Sequence, residues 1–153
     1  MQSILFICTG NTCRSPMAEA IAQDLISRGG VPGLANSSLA ASAGIFAMEG
    51  QPMNPKAVSA LRDMGIEHLT HSKQLTPRMV QEADLVLCMT RDHVASVLEI
   101  AGLDQEQARK VLPLDPGGDV PDPIGGSQQE YDRIAAGFTS LITERLNEVF
   151  QKA

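Results

Sequence analysis

The stretch Ser3-Ile4-Leu5-Phe6-Ile7-Cys8-Thr9-Gly10-Asn11-Thr12-Cys13-Arg14-Ser15-Pro16-Met17 decides the fold. Ser3–Ile7 is continuous and β-favouring, which predicts a strand buried on both faces. Ser15-Pro16 reads as a helix start, with Ser at the N-cap and Pro at the first helical position. Met17, Ile21 and Leu25 then fall at i, i+4 and i+8, one helical face, and Gly29-Gly30 ends the run. A buried strand that turns in one loop into a helix is the opening of an α/β unit.

The rest of the chain repeats that alternation. Leu39–Ala43, Leu85–Met89 and Val111–Leu114 predict three more strands. Asn54-Pro55 and Thr76-Pro77 open two helices, Thr90 caps a third, and Ser127-Gln128-Gln129-Glu130 has the form of a capping box before the last one. Tyr131, Ile134, Phe138, Leu141, Ile142, Leu146 and Val149 give that last helix its apolar face. Strands alternating with helices imply a parallel sheet covered on both faces, whose ligands bind at the carboxyl ends of the strands. Cys8 sits at such an end. Asp115–Gly126 is a connection rich in Pro and Gly, and connections of that length inside a compact domain are commonly functional.

Composition narrows the function classes. The 153 residues suit one domain, read as 1–153, with no repeat or linker. Hydrophobic residues make up 43% and charged residues 20%, the balance of a soluble globular protein. Twelve basic against eighteen acidic residues leave a net charge of -6, which speaks against gripping a nucleic-acid backbone. Aromatics at 3% provide no base-stacking platform. No membrane span and no signal peptide are expected. Three cysteines are too few for a disulfide framework and fit a cytoplasmic enzyme that uses a thiol. Nothing in the sequence sets an oligomeric state.

The loop Cys8–Ser15 has the chemistry of an anion site. Backbone N–H groups of Thr9, Gly10, Asn11, Thr12 and Cys13 turn inward ahead of a helix N-terminus, whose dipole adds positive potential. Gly10 and Asn11 tolerate the positive φ a tight cradle needs. Arg14 supplies a planar fork matched to two phosphoryl oxygens. The same field favours a thiolate at Cys8, so one loop carries a nucleophile and a phosphate cradle. Cys8 and Cys13 lack a second Cys/His pair to complete a metal site, and Arg14 would repel a cation. The nucleotide-binding patterns G-x-x-x-x-G-K-[ST] and G-x-G-x-x-G are absent. A phosphate-binding module would need neither a thiol nor a facing acid.

The segment Cys8–Glu19 resembles the signature of the low-molecular-weight protein-tyrosine phosphatases. Ser42-Ala43-Gly44, Gly65-Ile66, His71-Ser72-Lys73-Gln74, Asp84–Met89 and Asp122-Pro123 are similar to further segments of that family, so the resemblance spans the chain. It implies a single-domain, doubly wound, four-stranded parallel sheet with helices on both faces. It further implies Cys8 as nucleophile, Arg14 as phosphoryl clamp and Asp122 as general acid and base. Asn11, Ser15, Ser42 and His71 match the polar network that holds the loop. Neither a cofactor nor a metal is called for, because the loop itself carries the positive charge. Asp115, also followed by Pro, is the rival acid, and its place directly after a strand makes it a turn residue.

Two positions depart from the tyrosine-phosphatase pattern. Those enzymes usually carry a larger apolar residue where this chain has Thr12, and aromatics where it has Ile124-Gly125-Gly126. The Thr12 loop and the Asp-Pro-x-Gly-Gly-Ser segment look like the protein arginine phosphatase branch, which typically has Phe in place of Ile124. Phosphorylated proteins are the implied partners and phosphoarginine the preferred substrate, with phosphotyrosine as the alternative. Thr12 and Ile124 are the specificity candidates. Phe46, Met48 and Glu49 are candidates for the pocket mouth. An arsenate reductase would need further resolving thiols, and Cys88, on a buried strand, is a poor one.

Overall fold

A computed structural model describes residues 1–150. Its strands are β1 (Ser3–Cys8), β2 (Leu39–Gly44), β3 (Leu85–Cys88) and β4 (Val111–Pro113). Its helices are α1 (Arg14–Ser27), α2 (Pro55–Asp63), α3 (Pro77–Glu82), α4 (Arg91–Ala101), α5 (Gln105–Ala108) and α6 (Gln128–Phe150). The four strands form one parallel sheet in the order β2-β1-β3-β4. The chain leaves β1 toward one edge and returns to its other side, so the order reverses at β1. Its carboxyl end is therefore the crevice where α/β sheets place their ligands.

Alternation along β1 separates two cores. Ile4 and Phe6 point to the side packed by Met17, Ile21, Leu61, Phe138 and Ile142 of α1, α2 and α6. Leu5 and Ile7 point to the side packed by Val80 and Val97 of α3 and α4. The helices of both layers thus cover β1 and β3, which are buried apart from Ser3, as their continuous apolar runs implied. Among the described residues no helix is long and apolar enough to cross a membrane.

The helix caps follow their residue types. Asn54, Thr76 and Thr90 each accept a hydrogen bond from a backbone N–H of the first turn, at Lys56, Met79 and His93. Ser127 receives the Glu130 N–H at 3.3 Å. One expected start is displaced. Helix α1 begins at Arg14, before Ser15-Pro16, and its N-cap Cys13 makes no side-chain cap bond. The Ser15 hydroxyl is committed instead to the loop that precedes it. Helix α5, capped by Asp104, has four residues, too few to show a helical period in the sequence.

Candidate active site

The loop after β1 closes on the end of the sheet. Asn11 holds φ at 57°, the left-handed conformation expected of its residue type, whereas Gly10 does not use positive φ. Around the mouth of this loop lie Cys8, Thr9, Gly10, Asn11, Thr12, Cys13, Arg14, Asp122 and Ile124, which line one pocket. The structure therefore brings residues 8–14 together with two residues that are more than a hundred positions away in sequence.

A chain of side-chain hydrogen bonds holds the cradle. Asn11 Oδ1 accepts from Lys73 N at 2.9 Å, and a backbone N–H can only donate, so the amide orientation is set. Asn11 Nδ2 then donates to Ser15 Oγ at 2.8 Å and to Ser42 Oγ at 2.9 Å. Ser42 Oγ in turn donates to Glu19 Oε1 at 2.8 Å, and the other Glu19 oxygen is paired with His68 Nε2. With Asn11 donating into it, the Ser15 hydroxyl keeps its proton for Cys8 Sγ, 2.8 Å away. The Asn11 N–H also donates to Cys8 Sγ, at 3.3 Å. Asn11, Ser15, Ser42 and Glu19 are all buried, so these bonds are not diluted by water.

His71 is the correction. Its side chain is exposed, and among the described residues no hydrogen bond reaches its ring; Lys73 Nζ donates to its carbonyl. Its segment does hold the loop, but through the main chain of Lys73, which bonds Asn11 and receives Gly44 N at 2.9 Å. The histidine joined to the network is His68, through Glu19. Sequence reading overlooked Glu19 and His68 together. The available signal was Glu19 on the inner face of the first helix, where a carboxylate demands a partner.

Arg14 is buried, and its Nη1 donates to Val120 O at 3.0 Å. Its Nη2 stands 3.7 Å from Asp122 Oδ2. Asp122 Oδ1 accepts from Ile124 N at 3.1 Å, which turns the loop so that the carboxylate faces the pocket. Asp115 does something else: its Oδ1 accepts from Gly117 N at 2.8 Å within its own turn. Asp119 is bound to Arg91 N. Asp122 is thus the carboxylate of the 115–126 loop that meets Arg14 and lines the pocket.

Thr12 is half-buried, and its carbonyl receives Asn54 N at 2.9 Å, which ties the cradle to the start of α2. Ile124 is 64% exposed at the rim. Phe46 and Met48 are 82% and 72% exposed, and Phe46 N donates to Thr9 O at 2.9 Å, so their loop flanks the cradle. Glu49 accepts from Gln74 N at 2.8 Å. All three cysteines are free and buried. Cys13 Sγ lies 3.4 Å from Tyr131 Oη; burial raises its thiol above the ordinary cysteine range, against the pull of the Tyr131 and Thr12 hydrogen bonds. Burial pushes the Cys88 thiol far up. A second histidine absent from the sequence reading, His93, touches the loop: its Nε2 lies 2.9 Å from Thr9 Oγ1.

Comparison with known proteins agrees with this geometry. Residues 3–152 match the family described as low molecular weight phosphotyrosine protein phosphatase. The protein-arginine-phosphatase of Bacillus subtilis (strain 168) is 38% identical over 143 residues, covering 92% of each chain. The low-molecular-weight protein-tyrosine-phosphatase PtpB of Staphylococcus haemolyticus is 33% identical, covering 91% of this chain and 94% of the relative. A solved YwlE arginine phosphatase from Geobacillus stearothermophilus superposes with a TM-score of 0.82 at 33% identity, covering 97% of this chain and 93% of that one. With the expected sheet, the phosphate-type cradle and a family match along nearly its whole length, the chain belongs to the low-molecular-weight phosphotyrosine protein phosphatase family.

Proposed function

We propose that the protein is a cysteine-dependent phosphatase of one domain, 1–153, that removes the phosphoryl group from phosphoarginine in proteins. The observation that carries this reading is the convergence of Cys8, the loop residues Thr9 to Cys13, Arg14 and Asp122 on one pocket. In the first step Cys8 thiolate attacks phosphorus in line, the P–N bond breaks, and Asp122 gives its proton to the leaving guanidine. In the second, Asp122 takes a proton from water, which attacks the phospho-cysteine; the S–P bond breaks, inorganic phosphate leaves and Cys8 returns as thiolate. Arg14 and the amides stabilise the equatorial oxygens in both steps. Ser15, its proton aimed at Cys8 Sγ, stabilises the departing thiolate.

The preference for phosphoarginine rests on Thr12 and Ile124. A hydroxyl at the cradle edge offers a hydrogen-bond partner to a polar guanidinium or to the hydrolytic water, which an aliphatic side chain does not. On the side of the rim that follows Asp122, Ile124 stands where an aromatic would stack on a phenol ring. The 38%-identical relative named a protein-arginine-phosphatase supports this branch. The second reading, phosphotyrosine, is favoured by the PtpB relative. The test is to quench a reaction with a phosphoarginyl peptide within its first turnover and map the phosphoryl group by mass spectrometry. Phosphate on Cys8, and no peptide turnover by Cys8→Ser with inorganic phosphate still bound, is the expected result. Turnover by Cys8→Ser at the wild-type rate overturns the mechanism.

A further inference from the structure

His93 is buried, on α4, away from the chain of bonds that holds Asn11. Its Nε2 lies 2.9 Å from Thr9 Oγ1, while its Nδ1 is buried without a hydrogen-bond partner. That asymmetry assigns the tautomer. A proton on Nδ1 would bury an orphaned N–H, which folded proteins avoid more strictly than a bare acceptor. The proton therefore sits on Nε2 and is donated to Thr9 Oγ1. Charged groups face the ring from three sides: Arg14 of α1, Asp119 and Asp122 of the 115–126 loop, and Asp92 of its own helix. Burial, and then Arg14, hold the ring below its ordinary protonation range, so it is neutral at pH 7.

We propose that His93 is a positioning residue for phosphate capture: by donating from Nε2 into the Thr9 hydroxyl, it leaves the Thr9 proton free to be given to a phosphoryl oxygen in the pocket. Thr9 lines that pocket beside Cys8, and its hydroxyl has one proton to give. Without His93 the same hydroxyl turns to whichever acceptor is nearest. His93 thus acts through Thr9 and never touches substrate. This inference rests on the phosphatase reading, because it needs a phosphoryl group in the cradle.

The experiment measures the dissociation constant of inorganic phosphate by calorimetry on the full chain, for wild type, Thr9→Val, His93→Phe, His93→Gln and the double variant Thr9→Val/His93→Phe. Loss of one oriented hydrogen bond weakens binding by roughly fivefold to tenfold. Thr9→Val and His93→Phe are each expected to show that loss, and the double variant to show it once rather than squared. His93→Gln, which keeps a neutral N–H donor, is expected to recover most of it. A purely structural role for His93 does not produce that recovery together with non-additivity. Wild-type affinity in His93→Phe, or losses that multiply in the double variant, overturns the proposal and leaves the phosphatase reading standing. If His93→Phe does not fold, Thr9→Val decides, and an unchanged constant there overturns it. Wild type that takes up no phosphate defeats the phosphatase reading itself.

Discussion

Arg14 Nη2 faces Asp122 Oδ2 across 3.7 Å, and the same guanidinium is fixed to Val120 O at 3.0 Å. The loop that carries Asp122, the acid of the proposed mechanism, is thereby fastened to Arg14, its phosphoryl clamp. Asp122 remains 46% exposed, so this contact orients the carboxylate without sealing it from solvent or substrate. An acid at the rim that is also the partner of the clamp has the position needed to protonate a leaving group and then activate water.

Replacing Asp122 by Ala removes the proposed acid and base. Turnover is expected to fall by about 10²–10⁴-fold, the usual contribution of a positioned proton donor. Asp115→Ala, which only loses the bond to Gly117 N, is expected to stay within about threefold of wild type. Steady-state kcat for both variants on one phosphorylated peptide checks this; the reverse order reassigns the acid.

Gly44 ends β2 under the cradle. A Cβ there would come within 2.5 Å of Thr9 O and 3.1 Å of Asn11 N, both backbone atoms that cannot step aside cheaply. Gly44→Ala is expected to destabilise the fold by about 1–3 kcal/mol, the usual cost of overpacking. Because the clash falls on the loop, it is also expected to weaken inorganic phosphate binding. Urea unfolding and phosphate titration of the same preparation read the two effects. Wild-type values in both contradict the close approach.

His93 sets an acid limit on stability. Its protonation range is lowered in the folded chain, by burial first and by Arg14 second. Below its unfolded value near 6.5 the unfolded state therefore binds more protons, so stability is lost as pH falls through and below that point. Chemical denaturation between pH 7.5 and pH 5, ~2.5 units spanning the ordinary histidine value, is expected to show a steeper acid loss for wild type than for His93→Gln. Parallel slopes contradict the buried, neutral ring.

Much of the fold was legible because its signals are local. The run Ile4–Ile7, the Asn54, Thr76 and Thr90 caps and the face of Tyr131, Phe138, Ile142 and Leu146 each declare an element within a few residues. The cradle was legible for the same reason: eight consecutive residues carry it. What stayed hidden depends on the third dimension. Ser15 looked like a cap because a Ser-Pro pair usually is one; only the folded loop shows its hydroxyl spent on Cys8 and Asn11. His71 and His68 are three residues apart, and their order in the sequence does not say which turns inward toward Glu19. His93 touches Thr9 across 84 positions, a contact that no spacing rule announces.

The proposed phosphoarginine specificity rests on Thr12 and Ile124. The most direct measurement is kcat/KM for two peptides of one sequence, one carrying phosphoarginine and the other phosphotyrosine. A preference for phosphoarginine of roughly tenfold or more is expected, the discrimination that pocket contacts of this kind supply. A preference of that size for phosphotyrosine contradicts it, returning Thr12 to a packing role while Cys8, Arg14 and Asp122 keep theirs.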